Sequence, residues 1–140
     1  MVSTIERPIK LLSNWFSLEE VPYEKVDCFS SKARRERVSI NDTKNTIWFH
    51  IYFADKLAGI CALYLTNKKC RIKGDWIKPE YRGKGLGKFI TNCRVKIIDE
   101  FGYKNIEVLT LHPNYYKSIG FIIHKEVRRG VWLATKEQNE

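Results

Sequence analysis

From Thr46 onward the chain alternates in a way only a strand explains. Ile47, Phe49, Ile51 and Phe53 interleave with Trp48, His50 and Tyr52, a period of two with large side chains on both faces, so this strand is buried on both sides. Asp55-Lys56 turns the chain into a second apolar run, Leu57 to Thr66. Asn67-Lys68 turns it again into a third strand, roughly Lys69 to Ile77, and Pro79 cannot continue a ladder. The period then changes to that of a helix: Leu86, Phe89, Ile90, Cys93, Ile97 and Phe101 form one stripe, Lys88, Asn92, Lys96 and Asp99 lie off it, and Gly102 marks the end. Asn105 to Leu111 reads as a buried strand stopped by His112-Pro113. A short helix around Tyr115 to Ile119 ends at Gly120, and residues 121–127 and 130–135 make a final hairpin.

Residues 1 to 45 are less patterned. Ser17 and Glu20 have the spacing of a capping box, which predicts a short helix limited or bent by Pro22, and a basic cluster of Lys32, Arg34, Arg35 and Arg37 follows on a helix face. The predicted order is β-α-α-β-β-β-α-β-α-β-β, an α/β (α+β) fold with a mostly antiparallel sheet of six to seven strands flanked by helices. A chain of 140 residues holds one such core, so 1–140 is expected to be a single domain, with 46–135 the best-supported part.

Composition narrows the setting. No segment approaches the run of about eighteen apolar residues that a membrane span needs, and the first twenty residues lack the apolar block of a signal peptide. The expectation is a cytoplasmic protein that engages no membrane. Cys28, Cys61, Cys70 and Cys93 make no C-x-x-C pair, which predicts reduced core thiols and no metal site. The formal charge of +9 favours an anionic partner without choosing among nucleotides, nucleic acids and acidic proteins.

The choice comes from Arg82-Gly83-Lys84-Gly85-Leu86-Gly87-Lys88, which joins a strand to the start of the amphipathic helix. Glycines let backbone N–H groups converge, the helix start adds partial positive charge, and Arg82, Lys84 and Lys88 surround the spot, so the turn is an anion site. A P-loop needs four residues between its first Gly and the Gly-Lys pair with Ser or Thr following, whereas here three intervene and Phe89 follows. A dinucleotide fingerprint needs a third glycine where Lys88 or Ile90 stands.

With Ile77-Lys78-Pro79-Glu80-Tyr81 before it, the segment resembles the coenzyme A pyrophosphate loop of the GNAT superfamily of N-acyltransferases. A second stretch, His112-Pro113-Asn114-Tyr115-Tyr116-Lys117-Ser118-Ile119-Gly120-Phe121, resembles the family segment in which a tyrosine on a short helix precedes a Gly-Phe. The resemblance covers residues 46 to 135. It implies acyl-coenzyme A, most simply acetyl-CoA, as cosubstrate, held by Ile77 and Lys78 on the strand and by Arg82, Gly83, Lys84, Gly85, Leu86, Gly87 and Lys88 in the loop. It implies that free N–H groups near Ile77, where the fourth family strand parts from the fifth, bind pantetheine and the acyl oxygen. Tyr116 then matches the tyrosine that reaches the coenzyme sulfur, with Tyr115 as the neighbouring rival. For the general base, Asp75 comes first, two residues before Ile77 and so on its face unless a bulge intervenes, and His112 second, at a strand end. His50, mid-strand among aromatics, reads as a satisfied core histidine.

The expected activity is N-acetylation of a primary amine on a small molecule or protein. Two alternatives stay open: a GNAT-like enzyme modifying nucleic acid, as the Mom-type nucleobase modifiers do, which the Lys32 to Arg37 cluster would suit, and a non-catalytic coenzyme-binding module. The acceptor is unassigned, and a homodimer is compatible with the sequence.

Overall fold

The computed structural model describes residues 6–13 and 15–138. Eight strands form one sheet: β1 (Lys10–Leu12), β2 (Phe16–Val21), β3 (Thr46–Phe53), β4 (Lys56–Leu65), β5 (Cys70–Ile77), β6 (Asn105–Thr110), β7 (Ile122–Arg128) and β8 (Val131–Glu137). The helices are α1 (Ser30–Arg35), α2 (Leu86–Glu100) and α3 (Pro113–Ser118). The strand order is β1-β2-β3-β4-β5-β6-β8-β7. Every pairing is antiparallel except β5 with β6, because the chain between those two strands crosses over through α2.

The mixed, mostly antiparallel architecture is the one expected, with eight strands instead of six or seven. The extra strand comes from the N-terminal segment. Residues around Ser17 and Glu20 are not helical: they form β2, paired with β3 from Phe16↔Phe53 to Val21↔Trp48. Leu18 is wholly buried against the α2 side of the sheet, and ladder pairing along six residues outweighs one capping box. The Glu20 carboxylate accepts instead from Arg7 Nε at 2.6 Å and from the Ile9 backbone N–H at 3.0 Å. Pro22 then opens two short 3-10 turns, Tyr23–Lys25 and Asp27–Phe29, and a single helix, α1, where two helices were expected.

Each face of the sheet has its own core. On one, Leu18, Phe49, Ile51, Cys61, Leu63, Cys70 and Ile72 pack against Leu86, Ile90, Ile97 and Ile98 of α2 and Tyr116 of α3. On the other, Trp48, Ile60, Ala62 and Trp76 pack against Phe29 and Ala33 at α1.

Two irregularities in β5 shape the rest. First, its register with β4 breaks between Ala62↔Lys73 and Ile60↔Trp76, so two residues, Gly74 and Asp75, stand opposite Cys61. Gly74 adopts φ +71°, and a Cβ there would lie 2.9 Å from the Trp48 ring, so this bulge requires glycine. The extra residue flips the alternation. Ile72 and Ile77 both face the α2 side, and Asp75, two before Ile77, faces it too, bonded to Arg94 of α2. Second, pairing of β5 with β6 covers Cys70↔Ile106, Arg71↔Glu107 and Ile72↔Val108 and then stops. Beyond Ile72 the strands part and leave a notch in the sheet.

Candidate active site

The notch is the candidate site, and each wall has a cause in sequence. Its β5 wall is the backbone from Lys73 to Ile77, which has no β6 partner. The parting therefore begins at Lys73, four residues earlier than Ile77, the position the sequence resemblance implied. The β6 wall ends at Thr110, whose hydroxyl accepts the His112 backbone N–H at 2.8 Å, and Pro113 then starts α3.

The loop at the mouth has the expected conformation. Gly83 and Gly85 have φ of +78° and +87°, and Gly85 is the N-cap of α2 without any side-chain cap. The first intrahelical bond there runs from Phe89 N–H to the Gly85 carbonyl at 3.1 Å. The amides of Leu86, Gly87 and Lys88 thus have no acceptor within the helix. Around Gly83 and Gly87 a Cβ would meet nothing within 4 Å, so the loop is open at both glycines, beside a helix start of the kind that favours anions. Leu86 is 1% exposed, with its side chain in the core on the α2 side.

The basic side chains are spread more widely than the sequence implied. Arg82 turns back: its Nε donates to the Ile77 carbonyl at 2.8 Å and its Nη2 to Glu36 Oε2 at 2.9 Å, and Glu36 also accepts from Trp76 Nε1 at 2.9 Å. These bonds, Arg82 first and Trp76 second, hold the Glu36 carboxyl below its ordinary pKa. The Lys84 ammonium lies 5.7 Å from the centre of the Phe53 ring and that of Lys78 5.7 Å from Phe29, which puts Lys78 on the α1 side, away from the loop amides. Lys88 is exposed on the first turn of α2.

Asp75 and Tyr116, nominated from separate segments, come within electrostatic reach of each other at the notch. Between them lies Arg94 of α2, wholly buried. Its guanidinium grips Asp75 with both ends, Nη1 to Oδ1 at 2.6 Å and Nη2 to Oδ2 at 2.5 Å, and Nη1 also donates to the Ala62 and Lys73 carbonyls at the bulge. Burial opposes the Arg94 charge, but the adjacent carboxylate outweighs it and raises the pKa. The Tyr116 phenol is raised above its ordinary value, by burial first and then by the Asp75 charge, against Arg94 and a hydrogen bond with Thr91. Tyr115 packs edge-on against Tyr116 with centroids 5.1 Å apart, and its hydroxyl is buried without a partner among the described residues.

His112 is exposed at the end of β6, and its ring has no hydrogen-bond partner among the described residues. His50 is a satisfied core histidine, as expected: Nε2 lies 2.8 Å from the Lys25 carbonyl and Nδ1 3.2 Å from the Tyr52 hydroxyl. In the basic cluster, Arg34 donates to the Ile40 carbonyl and Arg37 to the Arg129 carbonyl, so half of it has structural work.

Sequence reasoning missed Arg94, Thr91 and Glu36. Arg94 was findable: it stands four residues after Ile90 and three before Ile97, on the apolar stripe, and a guanidinium there demands a buried counter-charge. Glu36 carried no such signal, because its partners Trp76 and Arg82 lie 40 and 46 residues away. Two concavities of about 440 and 500 Å³ lie elsewhere, one by Glu20, Asp42 and Trp48, the other by Pro113, Phe121 and Trp132.

A half-split sheet with a glycine loop and helix start at its mouth defines an acyl-coenzyme A binding fold. Residues 10–124 match the acetyltransferase (GNAT) family model, and the chain belongs to this family of acyl-CoA-dependent acyltransferases. An uncharacterised N-acetyltransferase of Chlorobaculum tepidum is 27% identical over 78 residues, 55% of this chain and 48% of that one. The chain thus spans about half the length of this relative. N-acetylglutamate synthase from Neisseria gonorrhoeae, solved with coenzyme A and N-acetyl-glutamate, superposes with a TM-score of 0.73 at 10% identity, over 92% of this chain and 36% of that one. A GNAT family acetyltransferase from Elizabethkingia anophelis with acetyl-CoA bound gives 0.61 at 14% identity, over 90% of this chain and 100% of that one. At such identities the likeness is one of fold.

Proposed function

We propose that the chain transfers an acetyl group from acetyl-CoA to a primary amine. The observation that supports this most is the notch itself: β5 backbone without a β6 partner leads, through the turn Pro79–Tyr81, to a helix start at Leu86, Gly87 and Lys88 whose amides have no backbone acceptor among the described residues. The amides of Leu86, Gly87 and Lys88 would hold the pyrophosphate, and the β5 backbone N–H groups between Lys73 and Ile77 that lack a β6 partner would hold pantetheine and the acyl oxygen. Acetyl-CoA would supply an acyl group activated as a thioester. Transfer forms one C–N bond and breaks one C–S bond, so the amine must lose a proton and the departing thiolate must gain one.

The residues present divide that work. Tyr116, raised by burial, keeps its phenolic proton through the neutral range and is suited to donate it at the thiolate. Asp75 is poorly suited to take one, since protonating it would strip the wholly buried Arg94 of its counter-charge. His112, exposed at the strand end, or water is left to receive the amine proton.

The test of coenzyme binding is thermal protection by acetyl-CoA. Gly85→Asp is a blunt probe because φ +87° strains any side chain. Gly87 has no such φ and open space around it, so Gly87→Asp places a carboxylate at the helix start without strain. An acidic residue there favours the helix by about 0.3–1 kcal/mol yet repels a phosphate. The free variant should melt at or slightly above wild type, and protection by acetyl-CoA should vanish. Full protection in this variant would refute the assigned site.

A further inference from the structure

The notch opens on two faces, and their chemistry differs. The α2 face is filled by Tyr116, Arg94 and the loop. On the other face α1 covers β3 to β5 through Phe29, Ala33, Trp48 and Trp76, while β6, β8 and β7 continue beyond it. Val108 and Ala134 point into the α2 core, so their neighbours Leu109 and Leu133, paired directly across β6 and β8, form an apolar floor on the α1 side.

Cations rim this floor. Lys125 stands across from Leu133 and Arg128 across from Val131, which puts both on the floor's face. Arg37, two residues past α1, reaches over, its Nη2 donating to the Arg129 carbonyl at 2.6 Å, and the turn at Gly130 lies against Arg37 and Leu111. Arg37 precedes Lys125 by 88 residues and Arg128 by 91, and the fold gathers them on the floor's face, with only β8 between β7 and the β6 wall of the notch. The nearby carboxylates are engaged elsewhere. Glu107 pairs with Arg71 at 2.9 Å, and Glu36 is held by Arg82 and Trp76. Glu126 lies across from Trp132 on the opposite face and accepts the Gly130 N–H at 2.9 Å. Lys125, Arg128 and Arg129 form no ion pair among the described residues.

We infer that the acceptor is an anionic amine, a small molecule carrying a carboxylate or phosphate close to its reactive nitrogen, with that anion bound by Lys125, Arg128 and Arg37. The inference rests on the acyltransferase reading and deepens it. A polycationic acceptor would meet like charges here, whereas a carboxylate or phosphate gains charge-assisted bonds. The same cations disfavour an ammonium beside them, which raises the fraction of neutral, nucleophilic amine.

The experiment incubates the full chain with acetyl-CoA and glutamate, O-phosphoethanolamine, ethanolamine or spermidine, and follows thiol release. Wild type is compared with the double variant Lys125→Gln/Arg128→Gln. Arg37 is left intact because it also holds the Arg129 turn. The anionic amines should exceed ethanolamine and spermidine by at least tenfold in kcat/KM, and glutamate against O-phosphoethanolamine tells carboxylate from phosphate. In the double variant, KM for the anionic amine should rise about tenfold, the size of one charge-assisted contact. KM for acetyl-CoA and kcat should hold. Preference for spermidine or ethanolamine, no acetylation of either anionic amine, or an unchanged KM in the double variant would each overturn the inference. Loss of acetyl-CoA protection in wild type would instead strike the reading beneath it, so the two failures are distinguishable.

Discussion

Asp75 and Tyr116 are close enough to feel each other's charge, yet the structure holds them in different ways. Asp75 has both oxygens on the wholly buried guanidinium of Arg94. Tyr116 is a buried phenol that holds its proton. Substituting each therefore separates stability from turnover. Asp75→Asn leaves Arg94 charged and uncompensated, and unfolding experiments should show a loss of about 3–5 kcal/mol. Tyr116→Phe removes one hydroxyl and one hydrogen bond, so stability should fall by only about 1 kcal/mol. Its turnover should fall roughly a hundredfold, on the scale of one general acid. Stability unchanged in Asp75→Asn, with turnover lost, would return Asp75 to the role of base. Wild-type turnover in Tyr116→Phe would make that residue structural.

At the scale of elements, strand β5 decides the site, and its bulge is where sequence and structure meet least directly. Alternation alone placed Asp75 on the face of Ile77 correctly, because the irregular backbone is at Gly74 and regular alternation resumes from Asp75. It could not show that Cys70 and Ile72, an odd number of positions before Asp75, share that face too. Only the φ of Gly74 reveals it. Gly74→Val would force a β-branched side chain into φ +71° and against Trp48, which should cost about 2–4 kcal/mol in chemical denaturation from strain and overpacking together. A cost under 1 kcal/mol would mean that the bulge can migrate. The loop from Arg82 to Lys88, the long helix and the Tyr116 segment were legible because each rests on local spacing. The helix expected at Ser17 was not, since β2 exists by pairing with β3, a partner some thirty residues away that no local pattern announces.

For the whole molecule, two cores back to back leave few thiols within reach of solvent. Burial pushes the Cys61 and Cys70 thiols up to about 12 and that of Cys93 to about 11, whereas Cys28 is exposed. At pH 8 the native protein should release one equivalent of chromophore rapidly with an aromatic disulfide reagent, and four after denaturation. More than one rapid equivalent would show that the α2 side opens on the timescale of the assay. The net charge of +9 also looks different once folded. Arg34, Arg37, Arg71, Arg82 and Arg94 are bound to carbonyls or carboxylates, whereas Lys125, Arg128 and Arg129 at the far hairpin have no ion-pair partner among the described residues, a difference invisible in composition.

A sheet that is cut part-way has inner edges as well as outer ones, and unpaired edges ordinarily invite strands from other molecules. The outer edges are blunted in familiar ways: β1 is three residues long, and β7 carries Lys125 and Arg128. The inner edges, Lys73 to Ile77 on one side and the end of β6 on the other, are guarded by their divergence. An intruding strand would need a neighbour about 4.8 Å away on each side along its length, and two walls that splay apart offer that spacing at only one depth. Exposed backbone donors and acceptors can thus stay open to a slender ligand, which bonds one wall at a time, while another polypeptide finds no register in which to zip shut. The opening that would admit a cosubstrate is, by its shape, a barrier to self-association through the same groups.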